Sequence, residues 1–518
     1  MKQTNRLILL LALIKFVLPF LLQSNYYEPH RDEFLYLSEG QHMAWGYMEV
    51  PPLLSVFAWL TNVFGGGMFW IKFWPSLFGA LTFVITARIV VSLGGKTFAL
   101  LLAFLPFVLG VYLRLQFLFQ PNFLEVFFWT LIAYSVVRYI QTSQNKWLYL
   151  LGISIGLGML SKYSVAFFAV SILLGLLFTK QRKTFTNKHL YFAGLIALLI
   201  FLPTVLWEYN HHFPVITHMR ELEQTQLQYV SPVGFLFDQL LMNLPCVFIW
   251  LAGLYFVGIS YKGKPYRTFA LAYVFVIVLL LIFKGKNYYS LGVYPVLFAF
   301  GAYHLEQFTQ TRSIIWRYAF VLLPLLIGIP FIPLALPVAK PQVLASYYKT
   351  IGAEKSGLLK WEDLQNHPLP QDFADMLSWK ETTQKVAKAY AQLSAEEKKQ
   401  TIIFCDNYGL AGAIDFYHKK YQLPEPYSDN GSFLYWIPQP LHVTNVIVVT
   451  PDTQEMQHDF VKEFRSAQVI DSITNPYARE KGSLIILFKG ASEKFNQYLQ
   501  QQLDRKLAKL KNHASSSE

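Results

Sequence analysis

Apolar runs of about 20 residues recur along this chain as far as residue 337, and a run of that length is what an α-helix needs to cross the hydrocarbon of a bilayer. They fall near 7–23, 69–92, 97–112, 121–141, 146–160, 163–179, 189–207, 234–258, 267–283, 289–307 and 315–337, which predicts about 11 transmembrane helices. The stretch from Trp147 to Phe178 is too long for one helix and carries Ser161-Lys162 in its middle, so it reads as two helices joined outside the lipid. Composition agrees: 54% of the 518 residues are hydrophobic and only 15% are charged, the balance of a polytopic membrane protein. The first span has no small-residue cleavage site before the acidic stretch that follows it, and reads as a retained anchor.

Lysine and arginine accumulate in cytoplasmic loops. With the amino terminus inside, the inner ends hold Lys2 and Arg6, Arg88 and Lys96, Arg138 and Lys146, the Lys180–Lys188 cluster, Lys262 to Arg267, and Arg312 with Arg317. The net charge of +12 is then mostly topology, and no nucleic-acid partner is implied. An odd number of spans puts the carboxyl-terminal region outside. Near Lys340 the composition turns polar, dividing the chain into a membrane domain at 1–339, with a first external loop at 24–68, and a soluble domain at 340–518. Apolar runs at 401–405, 445–450 and 483–488 predict strands, and helical patterns lie at 380–399, 409–420, 455–465 and 491–512, so this part reads as a small α/β domain. Cys246 falls in a span and Cys405 in a strand, which argues against a disulfide.

The chemistry concentrates on the outer side. Asp32, Tyr36 and Glu39 are spaced i, i+4, i+7 and share one face of a helix entered after Pro29, while Glu33 points elsewhere. Trp45 to Leu53 is aromatic and proline-broken, suited to the headgroup level, and would hold those carboxylates at the bilayer surface, where ionisable groups are costly to keep without a use. Arg114, Asn122 and Glu125 form a second cluster, with Glu125 either paired to Arg114 or part of a site. Lys162, Lys284 and Lys286 sit on the side that topology depletes of cations; they either snorkel to the interface or bind an anionic phosphate. His211, His212 and His218 share a loop with several glutamates and read as a solvated loop rather than a metal site. In the soluble part, Asp406-Asn407-Tyr408-Gly409 and Tyr427-Ser428-Asp429-Asn430-Gly431 are first of all turn chemistry, with an acceptor contact as the alternative.

Taken together, Asp32-Glu33, Gly46 to Leu53, Gln120-Pro121-Asn122, Gly156 to Tyr163, and Lys286-Asn287-Tyr288-Tyr289 with Tyr294-Pro295 resemble the bacterial members of the dolichyl-phosphate-mannose protein mannosyltransferase-like family. That family includes the lipid A aminoarabinose transferases and belongs to the GT-C glycosyltransferases. The resemblance implies a polytopic α-helical GT-C fold in a bacterial inner membrane, with the active site and soluble domain periplasmic. It also implies an inverting transfer from a polyprenyl-phosphate sugar to a protein, lipid or glycan acceptor. On this chain it makes Asp32 the base, with Glu33 and Glu125 beside it, and gives the donor phosphate to Lys162, Lys284, Lys286, Arg114 and Tyr288. Arg31, Tyr36, Glu49, Asn122 and Tyr289 would line the substrate pocket, and Glu49 with His211 would hold a divalent metal ion where one is used. Asn122 stands where many relatives have aspartate, and Val50 where the aminoarabinose enzymes have lysine, which weakens a lipid A acceptor.

The reaction type fits the residues without the family: a sugar on a lipid phosphate already carries a leaving group, so one carboxylate base and cations on the departing phosphate are enough. A ligase or polymerase of lipid-linked oligosaccharides would use the same groups. A transporter would more often show inverted repeats and charges near the midplane, and no repeat is visible here. A receptor or scaffold would not need Asp32.

Overall fold

The structure is a computed structural model that describes residues 2–515. Six helices are long and apolar enough to cross a bilayer singly, among them α1 (Lys2–Leu22), Gly67–Ser92, Asn122–Thr142 and Lys188–Asn210. Two further helix pairs qualify only as bent units: Pro232–Leu241 with Leu244–Gly258, turned by 64°, and Val165–Leu177 with Lys180–Thr186, turned by 106°. The expected span at 234–258 is therefore broken, at Asn243-Leu244-Pro245, where proline removes a ladder hydrogen bond. The expected division of 147–178 is present: helices Lys146–Met159 and Val165–Leu177 are separated by a turn that carries Lys162.

Two short helices lie between the first two long ones. α2 (Arg31–Glu39) starts at a capping box, in which the His30 ring accepts from the Asp32 amide and the Glu33 carboxylate takes the His30 amide at 2.7 Å. α3 (Leu53–Val63) follows the Pro51-Pro52 pair, a helix where the sequence suggested only a broken interfacial stretch. A glycine turn, Gly65-Gly66-Gly67, leads into α4 (Gly67–Ser92). The Glu33 side chain does more than cap: fully buried, it also binds Lys72 Nζ of α4 at 2.5 and 2.7 Å and the Phe119 amide at 2.6 Å. A single carboxylate thus ties α2, α4 and the 117–121 turn into one unit.

The two ends of the helical bundle differ in character. At one end Gln141 bonds Ser92 and Tyr266, Asn187 bonds Asn145, and Glu306 caps the helix at Thr97 by accepting from the Lys96 and Ala99 amides. Asp32, Lys162 and Lys286 lie at the other.

The region after 340 builds a five-stranded sheet in the order β2-β1-β3-β5-β4, with β1 (Thr401–Cys405), β2 (Pro426–Tyr427), β3 (Asn445–Thr450), β4 (Phe464–Ser472) and β5 (Leu484–Ala491). β1 runs parallel to β2 and β3, and β5 antiparallel to β3 and β4. Three expected strands are present. The helix expected at 455–465 is instead two 3₁₀ turns leading into β4, and β4 itself, whose exposed and half-buried residues give no apolar run, was not anticipated. The helix Tyr408–Tyr421 packs against α2, where Gly412 allows contact: a Cβ there would lie 2.9 Å from the Phe34 backbone. Phe34 and Leu35 of the first loop thereby join the core of the sheet region.

Removing one partner of a buried ion pair leaves an uncompensated charge, which costs about 3–5 kcal/mol. Lys72→Met is therefore expected to lower stability by roughly that amount, while the double replacement Glu33→Gln with Lys72→Met recovers part of it. Thermal or denaturant unfolding of the purified protein in lipid discs reads both.

Candidate active site

Asp32 opens the first turn of α2, where unpaired helix amides favour a carboxylate. Its side chain keeps 32% of its exposure. Oδ1 accepts from the Tyr408 hydroxyl at 2.9 Å, and Oδ2 from Gln120 Nε2 at 3.0 Å. Burial by itself would raise the Asp32 pKa, but His30, Arg31, the Tyr408 hydrogen bond and Lys286 together hold it below the usual carboxylate range. The site thus presents a carboxylate fixed on both oxygens, ionised, and open to solvent on one side.

From Gln120 a polar chain runs on. Asn122 donates to Gln120 Oε1 at 3.4 Å, and Lys162 Nζ donates to Asn122 Oδ1 at 2.7 Å and Glu125 Oε2 at 2.8 Å. Glu125 also accepts from the Ser164 hydroxyl. The Lys162 ammonium sits 4.2 Å from the centre of the Tyr289 ring and 5.5 Å from that of Tyr288. The charges of Asp32 and Glu125 both reach Tyr288, whose burial already pushes its hydroxyl far above the usual range, so it stays protonated and able to donate. Lys286 bonds Gln226 at 2.5 Å and lies within electrostatic reach of Asp32. A carboxylate and two lysines therefore face one region from different elements.

The other residues singled out from the sequence occupy distinct places. Glu33 is committed to Lys72, His30 and Phe119, so it positions α2 rather than joining Asp32 in the site. Glu125 pairs with Lys162, and the expected alternative of Arg114 does not form: Arg114 turns to Asp372, and burial lowers its pKa to about 10. Lys284 is 53% exposed and faces Glu223 at 3.9 Å, a solvated placement that does not support phosphate binding. Arg31 stacks over the Tyr408 ring at 4.5 Å. Tyr36 is buried against Phe119 and Phe123, one turn above Asp32. Glu49 accepts from the Ser432 amide at 2.9 Å and hydroxyl at 2.5 Å, tying the first loop to the sheet region.

The two residues expected to hold a metal, Glu49 and His211, are engaged elsewhere. His211 is stacked on Trp207, with Nδ1 against the Trp207 carbonyl of its own helix, and Glu49 is taken by Ser432; among the described residues the two do not enter a common ligand set. His30, Asp372 and Asp375 do converge, but His30 Nδ1 already accepts from the Asp32 amide. That leaves only Nε2, which faces the two aspartates at 3.7 Å.

Sequence reasoning missed Tyr408 and Gln120 as partners of Asp32. The Asp406–Gly409 run was read as turn chemistry, and Asn407 does make the turn by accepting from the Gly409 and Leu410 amides; the next residue reaches Asp32. Lys72 carried a readable signal, a lysine inside an apolar span.

The fold is similar to that of solved GT-C glycosyltransferases. The chain superposes on ArnT from Cupriavidus metallidurans bound to undecaprenyl phosphate, with a TM-score of 0.60 at 13% identity, covering 93% of this chain and 97% of that one. It superposes on the same protein in the apo state at 0.59 and 12% identity, with the same coverage. The Archaeoglobus fulgidus oligosaccharyltransferase, in complex with Zn and sulfate, matches at 0.50 and 13% identity over 85% of this chain and 67% of that one. Within this fold, residues 49–207 match the family model described as dolichyl-phosphate-mannose-protein mannosyltransferase, so the resemblance read from the sequence holds there; the helical fold with an added sheet region holds as well, with six to eight of the expected 11 spans recognisable among the described residues. No curated protein sequence matches the chain.

Glu39, on the same face of α2 as Asp32, is fully buried with neither carboxylate oxygen hydrogen-bonded. Burial, reinforced by the charge of Glu49, pushes its pKa well above the usual range. The folded protein keeps it protonated, so it costs stability as pH rises above the unfolded glutamate pKa toward the raised folded one. Glu39→Gln, which mimics the neutral form, is expected to match the parent at low pH and to exceed it increasingly as pH rises through that window. Unfolding midpoints measured across pH check this.

Proposed function

We propose that this protein transfers a sugar from a polyprenyl-phosphate donor to a periplasmic acceptor in a bacterial inner membrane, with Asp32 as the base. The observation that carries this reading is the polar chain from Tyr408 through Asp32, Gln120, Asn122 and Lys162 to Glu125, which joins an ionised carboxylate to a fixed ammonium. Asp32 takes the proton of an acceptor hydroxyl as its oxygen attacks the anomeric carbon. The bond from that carbon to the phosphate oxygen breaks, and the lipid phosphate leaves with the electron pair. A single displacement inverts the anomeric centre.

Lys162 spends two of its three N–H groups on Asn122 and Glu125, which leaves one for a phosphate oxygen. Lys286 and the protonated Tyr288 hydroxyl add donors where charge develops on the leaving group. The undecaprenyl phosphate bound to the ArnT of the same fold supports a lipid-phosphate donor. The segregation of charged chemistry to one end of the bundle, opposite the basic loops, supports a periplasmic site. Division of labour between a membrane domain at 1–339 and a soluble domain at 340–518 follows the same reading, with the soluble part supplying Tyr408 and Ser432 to the centre.

Asp32→Asn is expected to cut transfer about 10²–10⁴-fold, the usual worth of a general base, with little change in fold. Lys162→Ala should weaken use of the lipid donor. Purified protein in lipid, given radiolabelled polyprenyl-phosphate hexose or pentose and total membrane extract, measures both. Transfer that survives Asp32→Asn undiminished would place the base elsewhere, and transfer only from oligosaccharide donors would favour a ligase. Tyr408→Phe removes a hydrogen bond to the ionised form of Asp32 and so raises its pKa. The acid limb of the pH–rate profile is then expected to move to higher pH.

A further inference from the structure

A second cavity, of about 630 Å³, opens on the face of α2 opposite Asp32. Asp32, Tyr36 and Glu39 share one side of that helix; Leu37, Ser38 and the following Gln41 turn the other way and line this space. Its size is within the usual range for small-ligand pockets. Three parts of the chain build it. Gly40 lets the end of α2 close on α3, where a Cβ would meet Ala58 at 2.5 Å and the Trp59 amide at 2.7 Å. The helix Tyr408–Tyr421 supplies the floor through Asp415, and Gly65-Gly66-Gly67 forms the lip.

The lining has a consistent chemistry. Asp415 Oδ2 accepts from the Ser38 hydroxyl at 2.6 Å and from Gln41 Nε2 at 2.9 Å, while Oδ1 faces His418 Nδ1 at 3.6 Å, past hydrogen-bond length. The Trp59 indole is 48% exposed on one wall, with the Asn62 amide one turn further along α3. The three lip glycines have φ of +92°, +69° and +86°, and nothing lies within 4 Å of where their side chains would be, so a ligand can approach the backbone there. Lys419 and His418 also line the space, but the Asp415 carboxylate at its floor disfavours a phosphate, and a lipid tail would not tolerate a buried carboxylate. A flat aromatic face beside a carboxylate and amides suits a polyhydroxyl ring, whose C–H face packs on the indole while its hydroxyls meet the polar groups. Phe64 and Trp70 stack at 4.7 Å just below the lip, an aromatic group of the kind that marks the headgroup level of a bilayer.

We propose that this cavity is a glycan-binding subsite, separate from the Asp32 centre, that holds part of the acceptor saccharide. The acceptor assignment rests on the transferase reading; glycan binding itself does not. The test uses the full-length protein in lipid discs with fluorescent di- to tetrasaccharides of hexose and N-acetylhexosamine, offered free and as glycolipid headgroups in the disc, and reads affinity by anisotropy and by competition. Binding is expected to be equal in the parent and in Asp32→Asn, and weakened about tenfold by Trp59→Ala, in keeping with loss of an aromatic contact. Trp59→Phe should restore most of it, and unfolding midpoints confirm that the variants are folded. Binding of the headgroup form alone would assign the site to a glycolipid, and binding of both forms to a free or protein-borne glycan. No binding of either form, or binding that Trp59→Ala leaves unchanged, overturns the proposal. Glycan binding by a parent protein that transfers no sugar from any donor would count against the transferase reading alone.

Discussion

The buried pair of Glu33 and Lys72 is the constraint on which the rest of the Asp32 end of the bundle depends. Two charges taken out of water are held only where geometry satisfies both, and here the carboxylate collects the lysine, the His30 amide and the Phe119 amide at once. Each contact belongs to a different part of the chain. Together they fix the start of α2 against α4 and against the turn that carries Gln120. Asp32 is next to Glu33, so the same contacts that pin Glu33 set where Asp32 can point, and Gln120 is one residue from Phe119. The distance from Asp32 to Gln120 is thus set by a neighbouring pair that takes no part in it.

A second fixed point comes from the far end of the sequence. The helix Tyr408–Tyr421 lies on α2, with Gly412 against Phe34 and Gly409 against Arg31, and the Tyr408 hydroxyl reaches Asp32. Arg31 is held in turn over the Tyr408 ring. Ser432 on Glu49 makes a further tie between the first loop and the sheet region. The sheet region is therefore not dispensable to the geometry around Asp32. The sequence separation of 376 between Asp32 and Tyr408 also explains why the contact cannot be read locally: nothing in the Asp406–Gly409 run distinguishes a turn from a turn that delivers a hydroxyl.

What the sequence made legible follows from which forces act locally. Span-length apolar runs, the division at Ser161-Lys162 and the buried strands β1, β3 and β5 each leave a periodic or compositional trace, because burial in lipid or in a core selects residue types position by position. The i, i+4, i+7 stripe on α2 was legible for the same reason. The interior of the site was less so. Glu33 and Asp32 are adjacent carboxylates with opposite fates, one sealed in an ion pair and one open, and only the packing of α4 decides which. Likewise Lys162 and Lys284 look alike in sequence, each at the end of a span, yet one is gripped by Asn122 and Glu125 while the other stands in solvent. The strand β4 was hidden because a half-exposed edge strand carries no apolar run.

Both faces of this helix are therefore fixed by contacts. Because α2 is only Arg31–Glu39 long and is clamped at its amino end by Glu33 and at its carboxyl end by the approach of Gly40 to α3, it cannot turn to move Asp32 without also moving Ser38 and Gln41. Ser38 and Gln41 are bonded to Asp415, which belongs to the same helix as Tyr408. A ligand that pulled on Asp415 from the second cavity would act on a rigid element whose other end holds the Asp32 carboxylate through Tyr408. The cavity side and the Asp32 side of α2 are thus joined by two short, packed helices rather than by a flexible loop, through hydrogen bonds from Ser38 and Gln41 to Asp415 and from Tyr408 to Asp32.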